Sequence, residues 1–252
     1  MGSTSRAHRL RPRAEVGYWH ASRRPLNILA FLFLPIVAYE FGLALVLRSE
    51  QGVLTNKAHE SLLQFFSTLG VGAESSLYLG GIVIIVVLLL WHLLNRDEWK
   101  LEPRTLGLML MESLLLTLPL LVLGQVIAQS GVPAFAGDLP DTVSAKLAIS
   151  IGAGLYEELV FRMLLIALLH FLLVDVLKAT PQVGVAIAVV VSAAAFTWYH
   201  DLAGAGGEFS WQRLLFFFAA GLYFGAVFAL RGFGIVVAVH AIYDVVTILL
   251  ME

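Results

Sequence analysis

The feature that most constrains this chain is a series of apolar runs, residues 26–47, 77–94, 106–128, 144–176, 183–199, 214–230 and 233–251. The hydrocarbon core of a bilayer is ~30 Å thick and takes ~20 helical residues to cross. Inside it no water is available to pair backbone N–H and C=O groups, so a helix, which pairs its own, is the natural way through. The expectation is an all-α polytopic transmembrane helix bundle of about seven to eight spans. Composition agrees: 59% of the residues are hydrophobic and 13% charged, whereas soluble domains are about 25% charged.

Two stretches leave the count open. Residues 59–73 are amphipathic and suit the interface. The run 144–176 is too long for one untilted span, and Gly152 and Gly154 are expected to break it into a short outer segment and a span beginning near the glutamates.

Basic residues are unevenly placed. Arg6, Arg9, Arg11, Arg13, Arg23 and Arg24 precede or open the first span, and Arg96, Lys100 and Arg104 follow the second, while 129–143 holds no lysine or arginine. The positive-inside rule places the N-terminus in the cytoplasm, and Lys178 and Arg231 on the same side. The basic start reads as a topology determinant and not as a cleavable signal peptide, and "MGSTSR" has arginine where the myristoylation pattern needs serine or threonine. The expected location is a prokaryotic cytoplasmic membrane. The organisation expected is a basic segment over 1–25, N-terminal membrane helices over 26–140 and a catalytic membrane core over 141–252.

A formal net charge of -2 gives no electrostatic footprint for nucleic acid. The absence of cysteine removes disulfides, thiolate zinc sites and cysteine nucleophiles. No internal repeat points to a transporter built from two halves.

Against this apolar background the ionisable residues stand out, because a charge at the centre of a membrane helix costs roughly 2.5–3.5 kcal/mol on insertion scales. Glu157, Glu158 and Arg162 lie in the fourth run, His200 ends the fifth, and His240 and Asp244 lie in the seventh. Glu40, Glu112 and His170 lie apart from this set. Glu158 and Arg162 are four residues apart, the spacing of an intrahelical ion pair. Glu157 is rotated about 100° from Glu158 and has no partner on its own helix. Phe196 and His200 share a face, as do His240 and Asp244, and an aspartate beside an imidazole fixes its tautomer or its charge. Singly, each pattern reads as a structural staple or an interfacial histidine. Together they supply a carboxylate without a partner, a histidine, and a histidine backed by an acid, on three spans.

The segments "EELVFR", "FTWYH" and "HAIYD", in that order on late membrane spans, resemble the type II CAAX prenyl endopeptidase and bacteriocin-processing family of glutamic-type intramembrane proteases, also called abortive-infection or CPBP. Its motifs read EExxxR, FxxxH and HxxxN or HxxxD, and the resemblance covers roughly residues 147–250. It implies a helical membrane endopeptidase with a site inside the bundle. By position, Glu157 is the general base that activates a water and His200 helps to hold it. His240 serves the oxyanion, Asp244 orients and charges it, and Glu158, Arg162 and Phe196 support the site. An ionised aspartate cannot donate a hydrogen bond, so the oxyanion contact falls mainly to His240. The implied partners are membrane lipid and a peptide or protein cleaved near the membrane surface, such as a C-terminal tail, a sorting signal or a leader, with no nucleic acid.

No cofactor is expected. Glu157, His200 and His240 are the alternative, a zinc set with an open position, although there is no HExxH and each ligand comes from a different helix. Two further readings from other classes are a non-enzymatic immunity or scaffold protein and a proton-coupled transporter. The complete motif set argues against the first and the missing repeats against the second. Depth poses a difficulty. His200 falls near the outer surface and His240 about 10 Å in from the Gly232 end. Bringing them together needs a broken fourth span, a tilted seventh, or a different count of early helices.

Overall fold

The computed structural model describes residues 17–49, 52–128, 142–204 and 207–250. Most of the basic segment over 1–25 and most of the loop 129–143 lie outside the described residues. The described chain is helical except for one antiparallel pair of two-residue strands, β1 (Arg48–Ser49) and β2 (Gly52–Val53), and an isolated bridge between Ala203 and Phe209. A helical turn α1 (Tyr18–Ala21) precedes α2 (Pro25–Leu45), which opens on a proline that supplies no N–H where none can be paired. After the β pair come α3 (Lys57–Thr68), α4 (Ala73–Leu77), α5 (Leu79–Asn95) and α6 (Pro103–Ala128). The helix α7 (Val143–Glu158) runs on through a π-helical segment (Leu159–Ile166), α8 (Ala167–His170) and a second π segment (Phe171–Val176). It is followed by α9 (Pro181–Tyr199), α10 (Trp211–Arg231) and α11 (Phe233–Leu250).

Five of these helical stretches are long and apolar enough to cross a membrane: Pro25–Leu45, Pro103–Ile127, Val143–Val176, Pro181–Tyr199 and Trp211–Arg231. Two shorter apolar helices, Leu79–Asn95 and Phe233–Leu249, occupy the remaining expected spans. The chain is thus a multi-pass helical membrane protein, and its exposed leucines, valines and phenylalanines are the surface such a bundle offers to lipid. The helix α3 is the expected amphipathic one, but it ends at Thr68, and its N-cap Asn56 accepts from the His59 backbone N–H.

The expected break at Gly152 and Gly154 does not occur. A Cβ on Gly152 would run into the Tyr39 ring of α2, and one on Gly154 would lie 2.8–2.9 Å from Ala241 and the Val237 carbonyl of α11. Gly154 thus lets the α7 and α11 backbones approach closely, as small residues do in membrane bundles, Gly152 makes room for the Tyr39 ring, and the helix stays continuous through both. The irregularity comes later, where α-helical pairing gives way to π pairing straight after Glu158. Single π turns inside α-helices are frequent at functional sites. The Ser192 hydroxyl of α9 donates to the Phe161 carbonyl at 2.7 Å, covering an oxygen in the altered segment.

Contacts between helices fix their directions. Gly42 meets Ala148, Gly234 meets Ile28 and Met109, and Gly124 meets Tyr243. Hence α2, α6, α9 and α11 run toward one end of the bundle, the His200 end, and α5, α7 and α10 run toward the other, the Gly232 end. Two buried clusters form the core, one around Tyr39 and Tyr156 between α2, α5 and α7, the other around Phe196 and Phe224 between α9, α10 and α11. The site lies on the seam between them.

Candidate active site

The helix α7 presents Glu157 and Glu158 to different neighbours, as their rotation on the helix requires. Glu158 is fully buried. Its Oε2 lies 3.2 Å from the Arg162 guanidinium, one helical turn away and equally buried. Its Oε1 lies 2.7 Å from Nδ1 of His240. Arg162 sits over the Phe196 ring at 4.3 Å and over Phe224 at 5.2 Å, and reaches the Gly221 carbonyl at 3.4 Å. The expected pair is present, and it also carries His240. Glu158 thus holds the Nδ1 side of His240. Asp244 approaches the other nitrogen, Nε2, at 3.5 Å, a distance of electrostatic contact with no hydrogen bond.

Glu157 is free of its own helix, as its spacing implies. Its buried Oε2 has no hydrogen-bond partner among the described residues. It lies 3.6 Å from Nε2 of His200 and 4.0 Å from Nε2 of His240. Nδ1 of His200 is 2.8 Å from the Phe196 carbonyl. A carbonyl oxygen only accepts, so Nδ1 carries the proton, and in the neutral ring Nε2 shows Glu157 a lone pair. Burial pushes the His200 pKa down to about 4, helped by the positive charges of Arg162 and Lys57, so the ring is neutral near pH 7.

A cavity of about 330 Å³ opens onto these groups, lined by Glu157, His200, His240 and Asp244 together with Phe196 and Lys57, among others. Glu157 reaches both histidines from an α7 that is unbroken through Glu158, so the expected break is not needed to bring His200 and His240 to one carboxylate.

Three contributions are hard to read from sequence. Phe217 stacks on His200 at 4.1 Å and Phe224 on His240 at 4.5 Å, both from α10, which carries no motif. Their seven-residue spacing on one helix face is the only signal, and it is indistinguishable from core packing. The third is α3. His59 stacks on Tyr156 at 4.2 Å and bonds the Tyr39 hydroxyl at 2.8 Å, while Lys57 donates to the Tyr199 carbonyl at 2.7 Å. The amphipathic helix is thereby held over the cavity mouth.

Glu112 and Glu40 do not join the site. Glu112 bonds the Arg231 guanidinium and the Tyr18 hydroxyl at the Gly232 end. Glu40 lies against Gly81 between α2 and α5. Among the described residues, no group of three or more histidine and acidic side chains is placed to hold a metal ion. His240 commits Nδ1 to Glu158, and no step is routed through zinc.

No curated protein and no solved structure matches the chain. A family model described as type II CAAX prenyl endopeptidase Rce1-like matches residues 140–246, a stretch that contains Glu157, Glu158, Arg162, Phe196, His200, His240 and Asp244. The matched stretch takes in α7, α9, α10 and most of α11, the helices that build the site, and over residues 140–246 the chain carries a domain of the Rce1-like type II CAAX prenyl endopeptidase family.

Proposed function

We propose that the protein is an intramembrane endopeptidase that hydrolyses a peptide bond near the membrane surface with a water activated by Glu157 and His200. The observation that carries this reading is the buried, unpartnered Oε2 of Glu157 facing Nε2 of His200 at 3.6 Å and Nε2 of His240 at 4.0 Å inside an open cavity. These separations are too long for direct hydrogen bonds and suit a water that donates one proton to the carboxylate and the other to the bare imidazole nitrogen. That water keeps a lone pair for the carbonyl carbon.

In the attack, the water oxygen bonds to the carbonyl carbon, one water proton passes to Glu157, and the carbonyl π electrons move to the oxygen. His240 stabilises the oxyanion from Nε2 when that nitrogen carries a proton. Its Nδ1–H is held by Glu158, and the Asp244 carboxylate lies 3.5 Å from Nε2. On collapse the C–N bond breaks and Glu157 returns its proton to the leaving amine. Arg162 holds the Glu158 carboxylate in place for its task, and Phe196 separates Arg162 from His200. The orientation with the N-terminus in the cytoplasm, and membrane lipid and a membrane-proximal peptide as partners, belong to this reading.

The test is to reconstitute the purified protein in vesicles with peptides that carry a membrane-anchored or lipidated tail. Wild type is expected to cut them, and Glu157→Gln and His200→Ala are expected not to. Equal cleavage by all three proteins sinks the assignment.

A further inference from the structure

The cavity has a direction. From Glu157 its lining climbs α7 through Ala153 to Ile149, toward the start of that helix, and from His240 it climbs α11 through Asp244 to Ile248, toward that helix's end. Both tracks lead to the His200 end. The rim there is Thr55, Asn56 and Lys57, at the N-terminus of α3, with Asp201 just past α9. No lining residue comes from the turns at the Gly232 end.

The two ends differ in charge. At the Gly232 end lie Arg23, Arg24, Arg96, Lys100, Arg104 and Lys178, and the sequence adds Arg6, Arg9, Arg11 and Arg13 ahead of α1 with no apolar run between. The His200 end carries Arg48, Lys57, Lys146 and Arg213. Of these, Arg213 is paired with Asp201, and Lys57 is drawn onto the Tyr199 carbonyl. Acidic residues lie at both ends, Glu60, Asp201 and Glu208 here and Asp97, Glu98, Glu102 and Asp175 at the other, so the contrast is one of lysine and arginine alone. Lysine and arginine near span ends decide which end stays in the cytoplasm.

We infer that the catalytic cavity opens on the non-cytoplasmic face of the membrane, and that its substrates are polypeptide segments presented on that face, the membrane-proximal parts of exported or membrane-anchored proteins. The word substrate rests on the proteolytic reading; the face rests on the cavity and the charges.

The natural absence of cysteine permits a direct test. Single cysteines are placed at exposed positions of each end, Gln64→Cys and Gln212→Cys at the mouth end, Asn95→Cys and Thr180→Cys at the other. In intact cells a membrane-impermeant maleimide is expected to label the first two, and to label the second two only after permeabilisation. The reverse pattern overturns the proposal. In right-side-out vesicles, a tailed peptide in the external medium is expected to be cut without detergent. Cleavage that requires permeabilisation overturns the assigned face. No cleavage in either state, with the expected labelling, overturns the substrate half and the proteolytic reading while the face stands.

Discussion

Glu158 and His240, 82 residues apart in the chain, are joined by a buried 2.7 Å hydrogen bond, while Glu158 also neutralises Arg162. The adjacent Glu157 has neither duty. Neighbouring residues of the same type are thus expected to fail in different ways. Glu158→Gln strands a fully buried guanidinium, and removing one partner of a buried pair costs about 3–5 kcal/mol. Glu157→Gln removes a carboxylate that no cation among the described residues hydrogen-bonds directly, so stability is expected to hold. Turnover is expected to fall about 10²- to 10⁴-fold, the usual worth of a general base. Denaturation in detergent and peptide cleavage, measured on both variants, separate the two.

Acidification is expected to weaken the fold through His200 and His59. Burial holds both at about 4, below the ordinary 6.5. Between those values the unfolded chain binds protons that the folded chain refuses, so their contribution is complete above about pH 6.5 and is lost as pH falls toward 4. Unfolding midpoints measured from pH 7.5 to 4.5 check the slope, and His59→Gln is expected to flatten it. A slope unchanged in that variant removes His59 from the account.

Stripping of metal is expected to leave cleavage intact, because the side chains around Glu157 are arranged to hold a water between a carboxylate and two imidazoles. Activity after exhaustive chelation, with residual zinc determined by elemental analysis, is the measurement. Loss on chelation and recovery on adding zinc would overturn this.

The close approach of α7 and α11 predicts an effect for a single methyl. In Gly154→Ala the new carbon meets Ala241 and the Val237 carbonyl at 2.8–2.9 Å, mostly backbone that cannot swing aside. Overpacking of this kind costs about 1–3 kcal/mol, and it also pushes Glu157 away from His240. The expected result is a fall in kcat larger than any change in KM. Unaltered kinetics would show that the helices can separate without harm.

Much of the site is legible in the sequence because a membrane makes charge conspicuous. Glu157, Glu158, Arg162, His200, His240 and Asp244 could be singled out because each is costly where it stands, and helical spacing paired Glu158 with Arg162 correctly. Spacing along one helix says nothing about partners across helices, so the bond from Nδ1 of His240 to Glu158 is not legible in it. Gly152 and Gly154 were ambiguous for a similar reason. A glycine that loosens a helix and one that admits a neighbouring ring or backbone look alike until the neighbour is placed. The π segment after Glu158 left no compositional mark at all.

The stacking of His200 on Phe217 and of His240 on Phe224 gives α10 a part that its sequence does not advertise. Both imidazoles lean on one rod, two turns apart, so neither ring can be retuned by shifting that rod without disturbing the other. Transplanting the three motif helices into a different bundle would therefore carry over the chemistry and lose the alignment, unless a fourth helix with the same aromatic spacing came with them.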